Sequence, residues 1–324
     1  MRFEAPHERE AAERAWEVVQ RAYAEREPVA WPRRHARPLV AAAVLAALIA
    51  AALSPPGRSV VHSLRKAVGV KEAEPGLFSL PARGQLLVTS RSGLWLVRAD
   101  GSKRRLGRYR DATFSPHGLF VAATRANQLV ALDPKGDVRW TLARPAPRFP
   151  AWAGSRTDTR IAYISGHQLR IVAGDGTGDH IVGQAALVPP VWRPGPRRVL
   201  AYSDGRSAIV YDADSGSVLR RIAPAPMQLA WSGDGRLLRR DEPDVRMRNG
   251  QSEAVVGGRV VFRGTGIFGQ AQWSPDRRWL LVTWPTADQW VFVRTEGRRR
   301  IVGASRISAQ FGKLARVAGW CCAG

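Results

Sequence analysis

From residue 76 onward, apolar residues fall into short runs separated by clusters of Gly, Pro, Asp and Ser. The runs are too short for helices and are rich in strand-forming residues, so they predict strands. One set comprises 85–89 (QLLVT), 119–123 (LFVAA), 160–164 (RIAYI), 198–202 (RVLAY) and 279–283 (WLLVT). After a polar pause comes a second set: 94–98 (LWLVR), 128–132 (QLVAL), 168–172 (QLRIV), 208–211 (AIVY) and 289–293 (QWVFV). These close in turns at 100–101, 133–136, 173–176 and 212–216, where Asp can bond nearby backbone and Gly tolerates a positive φ. A fourth short stretch follows, as in 138–142 and 217–222.

The N-terminal part follows a different pattern. Residues 39–53 (LVAAAVLAALIAAAL) are apolar on every side, which no globular core explains. A membrane span needs about 20 residues, so this run is short, but Arg37 can snorkel to extend it. Arg33, Arg34, His35 and Arg37 precede the run, and no charge follows it until Arg58. That asymmetry predicts a single pass through the plasma membrane, N-terminus cytoplasmic and the rest outside. A cleaved signal peptide is the rival reading. Ala12, Trp16, Val19 and Tyr23 lie at helical spacing before Pro28. The expected organisation is a cytoplasmic tail with a short helix (1–37), a transmembrane helix (38–54), a linker (55–75) and a strand-rich domain (76–324).

Each strand unit opens on a recurring phrase, clearest at Trp273-Ser274-Pro275-Asp276. Trp231-Ser232-Gly233-Asp234-Gly235 loses only the Pro, and Phe114-Ser115-Pro116-His117-Gly118 loses the Asp. The phrase aromatic falls at Phe78, Phe114, Trp152, Trp192, Trp231, Trp273 and, weakly, Phe311, at intervals of 36, 38, 40, 39, 42 and 38. Short strands at a period near 40 mark propeller blades, each of which needs neighbours to bury its faces. The expected fold is all-β: a β-propeller of six four-stranded blades, with seven as the alternative. The segment after Phe311 is expected to supply the strand that closes the ring against the first blade. The fifth unit is degraded, because Leu237-Leu238 runs straight into Arg239-Arg240-Asp241-Glu242.

This phrase and spacing resemble the TolB-like and WD40-like β-propellers of the PD40 repeat type, over about residues 76–324. The resemblance implies structural roles: the aromatic packs between blades, and residues such as Asp234 and Asp276 shape the hairpin. The WD40 Gly-His and Trp-Asp signatures are not evident. TolB itself suggests a cell-envelope role, which a chain carrying its own anchor does not simply inherit.

Charge adds a second possibility. The chain has 50 basic and 27 acidic residues, a formal net charge of +23. A basic surface can attract nucleic acid, acidic glycans or anionic lipid. The arginines are scattered, however, which favours a solvated surface and disfavours nucleic acid. The tightest cluster, Arg298-Arg299-Arg300, is the candidate electrostatic contact.

Reactive chemistry is sparse. Gly250-Gln251-Ser252-Glu253-Ala254 approaches a nucleophile elbow but lacks the second glycine and a following helix. His117, His167 and His180 are isolated near predicted turns, although His167 or His180 could meet Asp175 or Asp179 in space. The loop 175–179 (DGTGD) lacks the full ligand pattern of a calcium loop. No catalytic residue, metal site or cofactor is assigned. Cys321 and Cys322 are adjacent, and neighbouring strand residues point to opposite faces, so a bridge between them is not expected. The function expected is a membrane-anchored, non-catalytic platform for a protein or envelope component. The alternatives are a module binding anionic polymers and a hydrolase working in the propeller channel.

Overall fold

The structure, a computed structural model, describes residues 73–74, 79–155, 157–225, 227–232, 235–238 and 243–322. The chain divides into two compact units, Met1–Leu53 and Ser54–Gly324, and every described residue belongs to the second. The tail helix, the apolar segment 38–54, Phe78 and Asp234 lie outside the described residues. Among the described residues no helix is long and apolar enough to cross a membrane.

Strands come in chain order, sheet by sheet. After β1 (Ala73–Glu74), the first sheet takes β2 (Gln85–Ser90), β3 (Gly93–Val97) and β4 (Lys103–Gly107). The second is β5 (Ala112–Phe114), β6 (Val121–Arg125), β7 (Gln128–Leu132) and β8 (Val138–Ala143). The third is β9 (Pro147–Gly154), β10 (Thr159–Ser165), β11 (Gln168–Ala173) and β12 (His180–Gln184). The fourth is β13 (Val191–Trp192), β14 (Val199–Ser203), β15 (Ala208–Asp212) and β16 (Ser217–Ile222). The fifth region holds β17 (Ala230–Trp231), β18 (Leu237–Leu238), β19 (Asp244–Arg248), β20 (Gln251–Val256) and β21 (Arg259–Thr265). The sixth sheet is β22 (Ala271–Trp273), β23 (Trp279–Trp284), β24 (Gln289–Arg294) and β25 (Ile301–Ser305). Helix α1 (Ile307–Phe311) and β26 (Arg316–Cys321) follow.

Within each sheet, sequential strands pair antiparallel, as short turns require. Two pairings tie the ends of the domain together. β26 pairs antiparallel with β2 and so becomes the first strand of the first sheet. β1 pairs parallel with β25 and so becomes a short fifth strand at the edge of the sixth sheet. The fold is therefore propeller-like: six sheet regions of about four strands, with the last strand completing the first sheet. The fifth region departs from the rule. It forms a two-stranded ladder, β17-β18, and a separate three-stranded sheet, β19-β20-β21.

Burial explains the run pattern. The second and third strands are buried on both faces, as in β14, β15 and β23, and so read as continuous apolar runs. Fourth strands such as β4, β8 and β16 are largely exposed and carry charges. Successive sheets stack face to face. Leu87 and Leu96 pack on Phe114 and Val121 between the first and second sheets. Ile164 and Ile171 pack on Leu200 and Tyr202 between the third and fourth. Phe262 packs on Val282 and Trp284 between β21 and the sixth sheet. Phe292 meets Trp320 at 5.5 Å between the sixth and first.

The phrase is a hairpin device, and its serine is the buried member. Ser274 is 2% exposed; its Oγ accepts the Trp279 amide at 3.0 Å and donates to Asp276 Oδ1 at 2.5 Å. Ser115 repeats the first contact with the Phe120 amide at 3.0 Å, and Ser232 does so with the Arg236 amide at 2.9 Å. Asp276 also accepts the Arg278 amide at 3.1 Å, which fixes the turn.

Candidate functional site

Register places the phrase aromatics in equivalent positions. Phe114 lies opposite Val121, Trp152 opposite Ile161, Trp192 opposite Leu200, Trp231 opposite Leu237 and Trp273 opposite Leu280. In the first sheet that position, opposite Leu86, belongs to Trp320. Phe311 does not begin a strand. It is buried in α1, stacked on Trp290 at 5.1 Å, while Asp288 accepts the Ser308 amide at 2.7 Å in the first turn. Ile307 and Phe311 are one helical turn apart, the only sequence signal of this helix.

The indoles stitch neighbouring sheets. Trp192 Nε1 donates to the Ala151 carbonyl at 2.9 Å, and Trp231 Nε1 donates to the Val191 carbonyl at 3.0 Å. In both cases the acceptor immediately precedes the aromatic of the previous sheet. Trp320 departs from the series, its Nε1 buried without a hydrogen-bond partner, and so does Trp152 at the junction of the second and third sheets. The Trp152 ring instead stacks on Phe120 of the second sheet, at 6.4 Å and 20° between planes.

A groove of about 360 Å³ opens at this junction. Phe120, Trp140 and Trp152 form aromatic walls, with Leu119 and Ala131 also apolar. Leu119, 57% exposed, adds an accessible apolar side chain to these walls. The room has a sequence cause. Ala122 lies opposite Ala131 in the row that faces the third sheet. The equivalent pair is Leu281 and Phe292 in the sixth sheet, and Leu87 and Leu96 in the first. Two methyl groups cannot fill the space that those larger pairs fill.

Polar groups rim the groove: Ser115, His117, Arg139, Ser155, Thr159 and Asp175. Asp175 accepts the Thr177 amide at 3.0 Å and its hydroxyl at 2.7 Å, and these bonds hold its carboxyl below the usual range. Arg139 lies 4.0 Å from Asp133. Trp140 Nε1 donates to the Gly174 carbonyl at 2.9 Å, fixing one wall to the third sheet. The arrangement offers a flat apolar slot with hydrogen-bonding edges. It has no nucleophile paired with a base, and among the described residues no group of three or more His, Cys, Asp or Glu could hold a metal.

Beside the groove, Asp179 joins the second and third sheets. Its side chain is 5% exposed and receives Arg144 at 2.6 Å, Tyr163 Oη at 2.6 Å and Arg170 Nε at 2.9 Å. Burial works to raise its pKa, but the bonds from Arg170, Tyr163 and Arg144 outweigh it and hold the carboxyl below its ordinary value. Burial and the Asp179 charge push the Tyr163 phenol up. Asp179 is thus committed to these partners. His180 is not among them; its Nδ1 lies 2.9 Å from the Gly178 carbonyl. Nothing in the local sequence marks this network, because Arg144, Tyr163 and Arg170 lie on three different strands or their ends.

The other singled-out residues lie elsewhere. Arg298, Arg299 and Arg300 are exposed in the turn before β25. Arg299 Nη2 donates to the Val261 carbonyl of β21 at 2.8 Å. Trp273 is half-buried against the core between β20, β21 and the sixth sheet, and Asp276 is exposed in its hairpin.

The cysteines correct the expectation that they stay apart: Cys321 and Cys322 form a disulfide. The alternation argument fails because only Cys321 is in the strand. Cys322 has left it with a positive φ of 51°, which brings both sulfurs to one side. There they lie against the second sheet's turn, with Cys321 Sγ 3.8 Å from the Ser115 carbonyl and Cys322 Sγ 3.5 Å from that of Pro116.

No protein-family model and no curated protein matches the chain. Among solved structures it has weak likeness to propeller-type proteins. A protein of unknown function from Bacteroides caccae is 12% identical, with 74% of this chain and 98% of that chain covered and a TM-score of 0.41. TolB from Acinetobacter baumannii is 15% identical, with 69% and 67% covered and a TM-score of 0.43. The dihydro-heme d1 dehydrogenase NirN is 14% identical, with 75% and 69% covered and a TM-score of 0.45.

Proposed function

We propose that this protein is a non-catalytic binding platform, tethered to the plasma membrane by residues 38–54 with residues 1–37 cytoplasmic and the sheet domain outside. Its contact site is the groove between the second and third sheets, and its partner is a protein or envelope component presenting an apolar or aromatic group. The observation carrying this reading is the groove itself. It is the junction where Ala122 and Ala131 leave space, Leu119 stays exposed and the Trp152 N–H lacks an acceptor. Apolar slots with a few convergent polar groups are where ligands bind rigid repeat scaffolds. Arg298, Arg299 and Arg300 add an electrostatic contact away from the groove.

The test is site-specific photo-crosslinking of the full-length chain in its native membrane. A photoreactive residue at position 119 should capture a defined partner; one at position 219, exposed on β16, should not. Ala131→Leu, which fills the slot, should abolish the adduct from 119. Equal adducts from both positions, or an adduct from 119 that survives Ala131→Leu, would sink the assignment. Capture of nucleic acid or acidic glycan, lost at high salt, would replace the partner class. Protease protection of tags at positions 5 and 59 checks the topology, which fails if the tag at 5 is digested from outside.

A further inference from the structure

The strand that completes the first sheet ends in Cys321 and Cys322, and this pair lies at a second cavity. That cavity, about 420 Å³, is lined by Arg83, Gly84, Gln85, Arg98, Ala99, Asp100 and Cys322. Both cysteines are half-buried, so the disulfide is neither sealed in the core nor fully open. Of the two cysteines Cys322 lines the cavity, while both sulfurs also rest on the neighbouring turn, Cys321 Sγ 3.8 Å from the Ser115 carbonyl and Cys322 Sγ 3.5 Å from that of Pro116. Gly118 gives the pair room in the neighbouring turn. A Cβ at Gly118 would lie 3.1 Å from Cys322 Cβ and 3.2 Å from its sulfur.

The lining carries two guanidinium groups and one carboxylate, so its formal charge is +2 − 1 = +1. Asp100 is already engaged, accepting the Ser102 amide at 2.9 Å. A reagent entering the cavity therefore meets net positive charge beside the Cys322 sulfur. Such a field concentrates anions and raises their rate of encounter.

We propose that Cys321–Cys322 is a thiol–disulfide exchange site for anionic low-molecular-weight thiols, those carrying a carboxylate or sulfonate. In the first step the thiolate of such a compound attacks Cys322 Sγ. A mixed disulfide forms, the Cys321–Cys322 bond breaks, and Cys321 leaves with the electron pair as a thiolate. A second thiolate attacks the reagent sulfur of the mixed disulfide, releasing the oxidised reagent as its symmetric disulfide and Cys322 as a thiolate. Two reagent thiols are oxidised and one protein disulfide is reduced. The reverse sequence, driven by the oxidised reagent, restores the pair. The exchange takes place beside residues 115–117, which line the groove on the other side of the same turn.

The test needs no variant in its first arm. The full-length chain, without denaturant, is exposed to glutathione (anionic), 2-mercaptoethanol (neutral) and cysteamine (cationic), and released cysteines are counted by alkylation and mass. Each rate is divided by that of the same reagent, as thiolate, on a small neutral disulfide. At low salt the normalised rate for glutathione should exceed that for cysteamine by on the order of ten-fold. High salt should shrink the ratio toward one. In the second arm Arg83→Gln with Arg98→Gln should remove most of the preference, and Cys321→Ser should accumulate the mixed disulfide on Cys322. If no cysteine becomes alkylatable in the folded protein, or if the normalised rates are equal for the two charges, the proposal is overturned. Mixed-disulfide formation on Cys321 in a Cys322→Ser variant, as fast as on Cys322 in the Cys321→Ser variant, would overturn the assignment of the attacked sulfur.

Discussion

The junction between the second and third sheets and the junction between the third and fourth are built from the same repeat, yet only the first is open. At the third–fourth junction the Trp192 indole reaches the Ala151 carbonyl, and Ile171 beside Ala162 fills the row against Leu200 and Tyr202. At the second–third junction Trp152 has no such bond, and the row holds Ala131 beside Ala122. Phe120 occupies the space over the Trp152 ring instead. In the third sheet its equivalent is Arg160, whose guanidinium turns to Asp158. A repeat can thus keep its backbone plan and turn one junction into a binding slot by shrinking one pair of side chains.

Four sets of variants break or sharpen this comparison, taken from the largest effect down. A closed junction is formed by the aromatic set of Phe262, Phe268 and Trp284, where Trp284 is 2% exposed. Trp284→Ala should cost about 3–5 kcal/mol in chemical denaturation. Trp140→Ala, at the open groove and half-buried, should cost less than half as much. Equal costs would mean that the groove is as well packed as the core.

Asp179 holds the open junction together beside the groove. Asp179→Asn should cost about 2 kcal/mol, below the range for fully buried pairs because water reaches Arg144. The sign of the pH effect follows from its lowered pKa. The contribution is present above the unfolded value of 3.8 and is lost as pH falls from there through the folded pKa. Wild type should therefore lose stability relative to Asp179→Asn as the pH falls below about 4. Parallel pH–stability curves for the two proteins would remove the network from the account.

Filling substitutions should have opposite signs at the two junctions. Ala131→Leu extends into the groove and should stabilise the domain by about 0.5–1 kcal/mol. Ala162→Leu, fully buried among Leu200 and Tyr202, should cost about 1–3 kcal/mol. Destabilisation by both would show that the groove has no usable space.

The smallest effect isolates the indole hydrogen bond. Trp192→Phe and Trp152→Phe lose similar ring area, but only the first loses a made bond. Trp192→Phe should be worse by about 1 kcal/mol, read as the difference between two midpoints in urea. No difference would mean that the Trp192–Ala151 bond contributes nothing.

The sequence by itself determined the units and their internal plan. Alternation, turn chemistry and a period near 40 act over a few residues, so the runs expected at 128–132, 198–202 and 289–293 fall within one residue of observed strands, whereas the run expected at 119–123 starts two residues late, at Val121, and leaves Leu119 and Phe120 in the turn. It also marked the fifth unit as degraded, and there the described strands form a two-stranded ladder and a separate three-stranded sheet. The tertiary structure decided whatever depends on residues far apart in the chain. Trp320, not Phe311, stands opposite Leu86, because β26 must return across the whole domain to pair with β2. The groove arises where Ala131 of one sheet faces Trp152 of the next, and Asp179 collects Arg144, Tyr163 and Arg170 from both sheets. Cys322 meets Cys321 only because the chain turns left-handed as it leaves the last strand. Local patterning fixes which face of a strand is apolar, but the volume left between two faces is set by both of them together.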